Sequence, residues 1–448
     1  MSKNETPETL ASYVHDQLSR SKIKTSIPPE NVLKDLFSTL FYTSLQTEEG
    51  QFIKVTVTLI DHEAISKADP DKERFDNWKF FPFQPPIPYI VKNLVKLSKA
   101  ADPWSASLAV YYDEDDELFI YGMIDQSIHY QSFLNYEREE KPNHPGIIQA
   151  MITGIGILEV MLDYQRLATL NQNSLVKNYL NVFEYGPISE FLRTHGTYSE
   201  RRLTTILGEA PDQNLIEDYN DLVADYQIQS ISRILLRIRN YHHGGAILIT
   251  KDFEADLAIK YPLKYNRIAA AVDHLIYAID TNDVLREEMK ALKRKGKDLP
   301  VKLFEDSENN EADIEDCYNE MIGAIRFAAS LSCVDGLVLL SPQLRVQGFG
   351  TVINLEAKDG EILISKTARL NLANCTHVSA NHHGTRHRSM FAYCEKHPDS
   401  VGFVVSQDGE IRAIKNVGGK VVVWENIKVH QFQRSSKLPR LLPPPPRK

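Results

Sequence analysis

The chain has 448 residues, 42% of them hydrophobic and 25% charged. At about 100–200 residues per domain this length predicts two to four domains, and the balance excludes a disordered, collagen-like or disulfide-scaffold protein. A net charge of −9 argues against a general nucleic-acid coat, and the four cysteines (Cys317, Cys333, Cys375 and Cys394) show no CxxC spacing. The N-terminal MSKNETPETL is polar, without the apolar core of a signal peptide, and no run reaches about 18 apolar residues. The expectation is a cytoplasmic protein with reduced thiols, no membrane segment and no nucleic-acid partner.

The texture changes near residue 205. Before it, residues 30–45 carry Val32, Leu33, Leu36, Leu40 and Phe41 at helical spacing. A β-branched run follows at about 52–60. FFPFQPPIPY (80–89) predicts an extended connector, since its prolines lack backbone donors. Residues 106–124 read as a hairpin around the acidic turn Asp113–Asp116, and 146–168 read as an apolar helix. Within the latter, GIGILEV lacks the third glycine of a dinucleotide loop and suggests close helix packing.

After the boundary, 213–240 predicts a long helix, and HHGGAILIT (242–250) a turn into a buried strand. Residues 265–293 and 317–331 return to helix, with an acidic surface loop expected at 300–316. Six strands are expected at 334–340, 350–356, 361–367, 401–406, 410–414 and 420–425, interrupted by a helix at about 386–397. The tail SSKLPRLLPPPPRK reads as flexible or polyproline II. The expected division is 1–205, an α+β domain; 206–435, a mixed-sheet domain flanked by helices; and 436–448, the tail. The fold class is α/β (α+β).

Three clusters carry chemistry. In Cys333-Val334-Asp335-Gly336-Leu337 an acid stands at the mouth of a buried strand, a rim where ligands bind in α/β folds. Gly336 would let backbone approach a flat ligand; an Asp-Gly turn with no further role is the alternative. Asn381-His382-His383-Gly384-Thr385-Arg386-His387-Arg388 enters a helix. Free backbone N–H groups, a threonine and two arginines suit an anion with several oxygens, such as a triphosphate. A zinc site on His383 and His387, or a solvated basic turn, are the other readings. The third cluster, Val405-Ser406-Gln407-Asp408-Gly409-Glu410, leaves a strand into a tight turn. There is no GxxxxGK[ST], GxSxG or HExxH.

These clusters, in this order, resemble the diadenylate cyclase domain. That family has an Asp-Gly-Ala motif before a strand, then Gly-Thr-Arg-His-Arg at a helix start, then a Ser-Glu-Glu-type motif after a later strand. Asp335-Gly336-Leu337 looks like the first, Gly384-Thr385-Arg386-His387-Arg388 matches the second in full, and Ser406-Gln407-Asp408 resembles the third. The likeness covers about 225–430, with GGAILIT (244–250) as the first core strand. It implies that two domains face one another in a homodimer or higher homo-oligomer and condense two ATP into cyclic di-AMP. Asp335 would be catalytic. Gly336, Leu337, Gly384, Thr385, Arg386, His387, Arg388 and Ser406 would hold the nucleotide and its phosphates. Mg²⁺ or Mn²⁺ would be the cofactor, with Asp335 and Gln407 at the metal positions.

Two departures from the family pattern stand out. Leu337 replaces an alanine, which puts bulk where the nucleotide passes. Gln407 replaces a glutamate, a weaker metal ligand that Asp408 or Glu410 would have to offset. The 49 residues from Asp335 to Gly384 also predict an extra hairpin at about 345–372. The first 205 residues carry none of these motifs; the resemblance implies a regulatory or sensory domain of the kind that precedes such cyclases, and a purely structural or dimerising role is the other reading. The alternative is a catalytically degenerate nucleotide-binding sensor on the same fold.

Overall fold

The computed structural model describes residues 4–20, 27–60, 79–101, 105–125, 148–162, 165–177, 179–253, 256–356, 358–407 and 409–429. The proline-rich tail read at 436–448 lies outside them, as does Asp408. The chain forms two compact units, Met1–Asn178 and Tyr179–Lys448. Each combines helices with a mixed sheet.

The first unit opens with helices α1 (Pro7–Arg20) and α2 (Glu30–Ser44), then a two-residue ladder of β1 (Thr47–Glu48) and β2 (Gln51–Phe52). Strand β3 (Val55–Leu59), strand β4 (Lys79–Pro88), helix α3 (Val91–Ser98), then β5 (Ala106–Tyr112), β6 (Leu118–Asp125), β7 (Ile148–Gly154), β8 (Ile157–Leu162), β9 (Gln165–Asn171) and β10 (Ser174–Val176) complete it. The eight-stranded sheet runs β10-β9-β8-β7-β3-β5-β6-β4, with β3 and β5 parallel. Leu33, Leu36, Phe37 and Leu40 of α2 share a core with Leu10 and Val14 of α1, Leu94 of α3, and Val55, Val57, Leu108, Val110, Leu158 and Val160 of the sheet. The 3.6-residue spacing of α2 meets the two-residue spacing of the strands, and that match builds the core.

Two expectations change here. The described residues of the stretch read as a helix at 146–168, namely 148–162 and 165–168, form strands β7, β8 and the start of β9 instead. Gly156, at φ +68°, makes the β7–β8 turn. Ala150, Ile152, Leu158 and Val160 face the helices, while Gln149 and Glu159 lie on the other side. An apolar run whose polar alternates are few looks alike in either state. FFPFQPPIPY is the outer strand β4, where a proline interrupts no ladder on its open side.

The second unit contains α4 (Pro187–Gly196), α5 (Glu200–Leu207), α6 (Gln213–Asn240), β11 (Gly245–Thr250), β12 (Leu257–Ala258), β13 (Tyr261–Tyr265), α7 (Arg267–Arg294) and α8 (Val301–Ser330). Then come β14 (Leu337–Leu340), β15 (Val346–Ile353), β16 (Glu361–Ser365), β17 (Thr376–Ser379), α9 (Thr385–Lys396), β18 (Ser400–Val405), β19 (Ile411–Val417) and β20 (Lys420–Trp424). The ten-stranded sheet runs β12-β15-β14-β11-β18-β19-β20-β16-β17, with β13 paired to β15. The change of texture near 205 falls inside α5, which belongs to this unit: Arg202 donates to Asp273 of α7 at 2.5 Å. Helix α4 is tied to α6 in the same way, Gln227 donating to the Gly196 carbonyl at 3.1 Å.

The acidic stretch 300–316 is not a loop but the first half of α8. Its buried stripe is one residue wide, Leu303, Ser307 and Asn310, and Asn310 donates to the Ala278 carbonyl of α7 at 2.9 Å. Charges on the remaining circumference hide that stripe from composition. Nor is there a hairpin at 345–372. Strand β15 pairs with β14, β13 and β12, whereas β16 lies across the sheet between β20 and β17.

Candidate functional site

Strand register brings distant segments to one edge. Strands β11 and β14 run parallel, Ile247 opposite Val338. Strand β18 runs against β11 with Gly245 opposite Val405, and β19 against β18 with Val405 opposite Ile411. The starts of β11, β14 and β19 therefore share an edge with the end of β18. Gly244, Asp335–Gly336, Ser406–Gln407 and Glu410 all lie along it.

Helix α9 begins at the same edge. Gly384 is its N-cap, with no side-chain cap and open space where a Cβ would stand. The His387 N–H already turns back to the Gly384 carbonyl at 3.0 Å, so the N–H groups of Thr385 and Arg386 are the ones without a partner inside the helix, and they carry its positive end. Between this turn and the end of β18 lies a cleft of about 530 Å³ lined by Gly384, Thr385, Arg386, His387, Val404, Val405, Ser406 and Gln407. Gly244, at φ +71°, forms part of its margin. A Cβ there would stand 3.1 Å from the Val405 carbonyl, 3.2 Å from Arg386 Nη1 and 3.4 Å from Gln407 Cγ. A side chain at 244 would crowd the Val405 carbonyl, the Arg386 guanidinium and Gln407 at once.

The remaining members of the Gly-Thr-Arg-His-Arg segment part company. Arg388 turns away from the cleft: its Nε donates to the Lys358 carbonyl at 3.1 Å and its Nη2 bonds Asp359. His387 lines the cleft, but its Nε2 accepts from Arg412 Nη1 at 3.1 Å. Burial first, and then the charges of Arg412, His383 and Arg386, hold its imidazole down at about 3. His387 is therefore neutral, and the cationic donor expected of it is supplied by Arg386 alone. The His383–His387 pair, with ring centroids 5.7 Å apart, leaves no lone pair on His387 Nε2 for zinc.

Arg412, which the sequence reading passed over, is the hub of the site. Its Nε donates to Glu425 at 3.1 Å, its Nη2 bonds Glu410, and its Nη1 reaches both His387 Nε2 and Ser406 Oγ, the latter at 3.3 Å. The sequence signal was an arginine flanked by Ile411 and Ala413 inside a strand. A charge in such a place requires partners.

Asp335 is exposed in the bend before β14, two strands from the cleft rather than in its lining. Strand spacing makes that about 10 Å. Gly336, at φ +114°, lies against Gly350 so closely that a Cβ would stand 2.4 Å from the Gly350 carbonyl carbon. Leu337 does not obstruct the cleft. It is 5% exposed and packs with Leu339, Met390 and Phe391 in the core between β14 and α9. Its extra bulk relative to alanine fills the interior.

No three His, Cys, Asp or Glu side chains converge as a metal site among the described residues. Glu410 and Glu425 are engaged by Arg412, Gln407 offers only a neutral amide, and Asp335 stands apart. The described donors of one chain do not fit a divalent ion at the Asp335 and Gln407 positions. What the cleft does present is one guanidinium, the N–H groups of a helix start and hydroxyls at Thr385 and Ser406, a lining suited to a multiply charged anion.

Residues 22–125, within the first unit, match the family model described as "Probable sensor domain DACNV". The match does not reach the second unit. No curated protein matches the chain. Among the described residues no helix is long and apolar enough to cross a membrane.

Proposed function

We propose that the second unit binds ATP in the α9–β18 cleft and condenses two ATP into cyclic di-AMP, under the control of the sensor-type first unit. The single observation that supports this most is the meeting of three segments, remote in sequence, at one sheet edge beside an anion-suited cleft. Arg386, the α9 N-terminus and Ser406 hold the phosphates and steady the leaving pyrophosphate. Magnesium or manganese enters on the ATP phosphates as part of the substrate. Asp335 accepts a hydrogen bond from a ribose 3′-hydroxyl and orients it.

In each half-reaction one 3′-oxygen bonds the α-phosphorus of the other ATP, the α–β bridging P–O bond breaks, and pyrophosphate and a proton leave. Two such steps close the ring. Each 3′-hydroxyl attacks the α-phosphorus of the other ATP, so the hydroxyl that Asp335 orients and the phosphate it meets belong to different bound nucleotides. That calls for a second copy of the chain, its edge turned to this one.

A second reading is a sensor that binds nucleotide without turning it over. The commitment of Glu410 and Glu425 to Arg412 favours it, since among the described residues neither of these carboxylates is left to serve a metal beside Gln407. Incubation with ATP and Mn²⁺ or Mg²⁺, followed by mass spectrometry, separates the two. Cyclic di-AMP from the wild type and none from Asp335→Asn is the expected result. ATP binding without product in both would favour the second reading, and no ATP binding would overturn both.

A further inference from the structure

Arg412 is more than an ion-pair partner. Its guanidinium is clamped from two sides by Glu410 and Glu425, and its side chain is 16% exposed. The carboxylates offset its charge, so what it offers the cleft is direction. An arginine can only donate. Nη1 gives to His387 Nε2 at 3.1 Å and to Ser406 Oγ at 3.3 Å. A hydroxyl oxygen that accepts one hydrogen bond still has its own proton to place, and Ser406 lines the cleft.

We propose that Arg412 is a positioning residue: by donating to Ser406 and His387 it turns the Ser406 hydroxyl into a donor aimed at an anion in the cleft and fixes His387 as the neutral Nδ1–H tautomer. This rests on the polyphosphate-binding reading of the same cleft. The cleft then presents donors on both walls, from the start of α9 and from the end of β18. A phosphate oxygen, which only accepts, then meets the Ser406 proton rather than its lone pair. The pKa of His383, the other imidazole beside His387, is likewise lowered, by burial first and then by the charge of Arg412.

The test uses the full chain with ¹⁵N-labelled histidine and four proteins: wild type, Arg412→Lys, Ser406→Ala and the double variant. Lysine keeps a cation between Glu410 and Glu425 but cannot hold the fork, so folding is retained while the geometry is lost. Wild-type His387 should show the Nδ1–H signature, and Arg412→Lys should shift it toward Nε2–H. By calorimetry with ATP and Mg²⁺, Arg412→Lys and Ser406→Ala should each weaken binding about tenfold, and the double variant no further. An unchanged His387 tautomer in Arg412→Lys, or losses that multiply in the double variant, would overturn the role of Arg412 while ATP binding stands. A wild type that binds no ATP would instead overturn the nucleotide reading and the Ser406 donor with it, whatever the tautomer.

Discussion

His387 should make the second unit lose stability in mild acid. In the unfolded chain a histidine takes up its proton near pH 6.5. In the folded unit burial and the neighbouring Arg412 hold it at about 3. Below 6.5 the unfolded state therefore binds a proton that the folded state refuses. Stability from this group is complete above about pH 6.5 and falls as pH drops toward 3, with a slope approaching about 1.4 kcal/mol per pH unit. Between pH 7 and pH 5 the loss comes to about 2 kcal/mol. His387→Gln removes the titration while leaving an amide oxygen able to accept from Arg412. Urea unfolding followed by Trp424, an indole fully buried in this unit, reads the effect in a background with Trp78 and Trp104 changed to Phe. The difference between pH 7 and pH 5 should be smaller in the variant by about 2 kcal/mol. An identical pH dependence with and without His387 would refute the account of its burial. His383, also pushed down by burial, acts in the same direction and is common to both proteins, so it cancels.

Arg386→Ala should weaken ATP binding about tenfold or more by losing a charge-assisted donor in the cleft, whereas Arg388→Ala, held on Asp359, should change it less than about twofold; calorimetry checks both. Gly336→Ala, which would drive a Cβ to 2.4 Å from the Gly350 backbone at φ +114°, should destabilise the second unit by about 3 kcal/mol or more in urea unfolding. Glu159→Gln should cost the first unit about 3 kcal/mol in the same measurement, because the Glu159–Arg166 pair is almost wholly buried and the arginine would keep its charge.

Much of the second unit was legible because its elements announce themselves locally. The α6 boundaries, 213–240, coincide with the apolar run and with the Asp212 cap, whose carboxylate accepts from the Leu215 N–H at 3.0 Å. Strands β14, β18, β19 and β20 are apolar runs closed by turn residues. The errors came where the deciding partner is remote. Helix α8 is held by a narrow stripe against α7, and nothing within 300–316 reveals α7. Strands β15 and β16 are separated by few residues yet pair at opposite sides of the sheet, because β16 finds β20 far along the chain. In 146–168 the missing signal was the turn glycine, Gly156, in a run read as continuous.

The site divides along the same line. A cap glycine, a threonine and an arginine in succession are local facts, so Gly384, Thr385 and Arg386 could be read as an anion site from the sequence alone. Which of the neighbouring cations points inward is not local. Arg388 is one helical residue past His387, yet it faces a backbone carbonyl and an aspartate of the 358–359 segment. Arg412 sits in a strand more than twenty residues beyond the motif, and its importance exists only because β19 pairs with β18 in a register that sets it beside Ser406. A charged fork in a mostly buried strand has to be satisfied on every side. Here the satisfaction is achieved by two carboxylates, a neutral imidazole and a hydroxyl, and the last two are part of the cleft wall. The cost of burying Arg412 and the polarity of the cleft are thus one arrangement. A substitution that eases the first, such as methionine for Arg412 with Glu410 and Glu425 made glutamine, should stabilise or leave unchanged the fold and still lose the Ser406 donor. Calorimetry with ATP and Mg²⁺ on that triple variant should show weakened binding beside an unaltered or raised unfolding midpoint. Retained affinity would mean that the hydroxyl finds its orientation without the arginine.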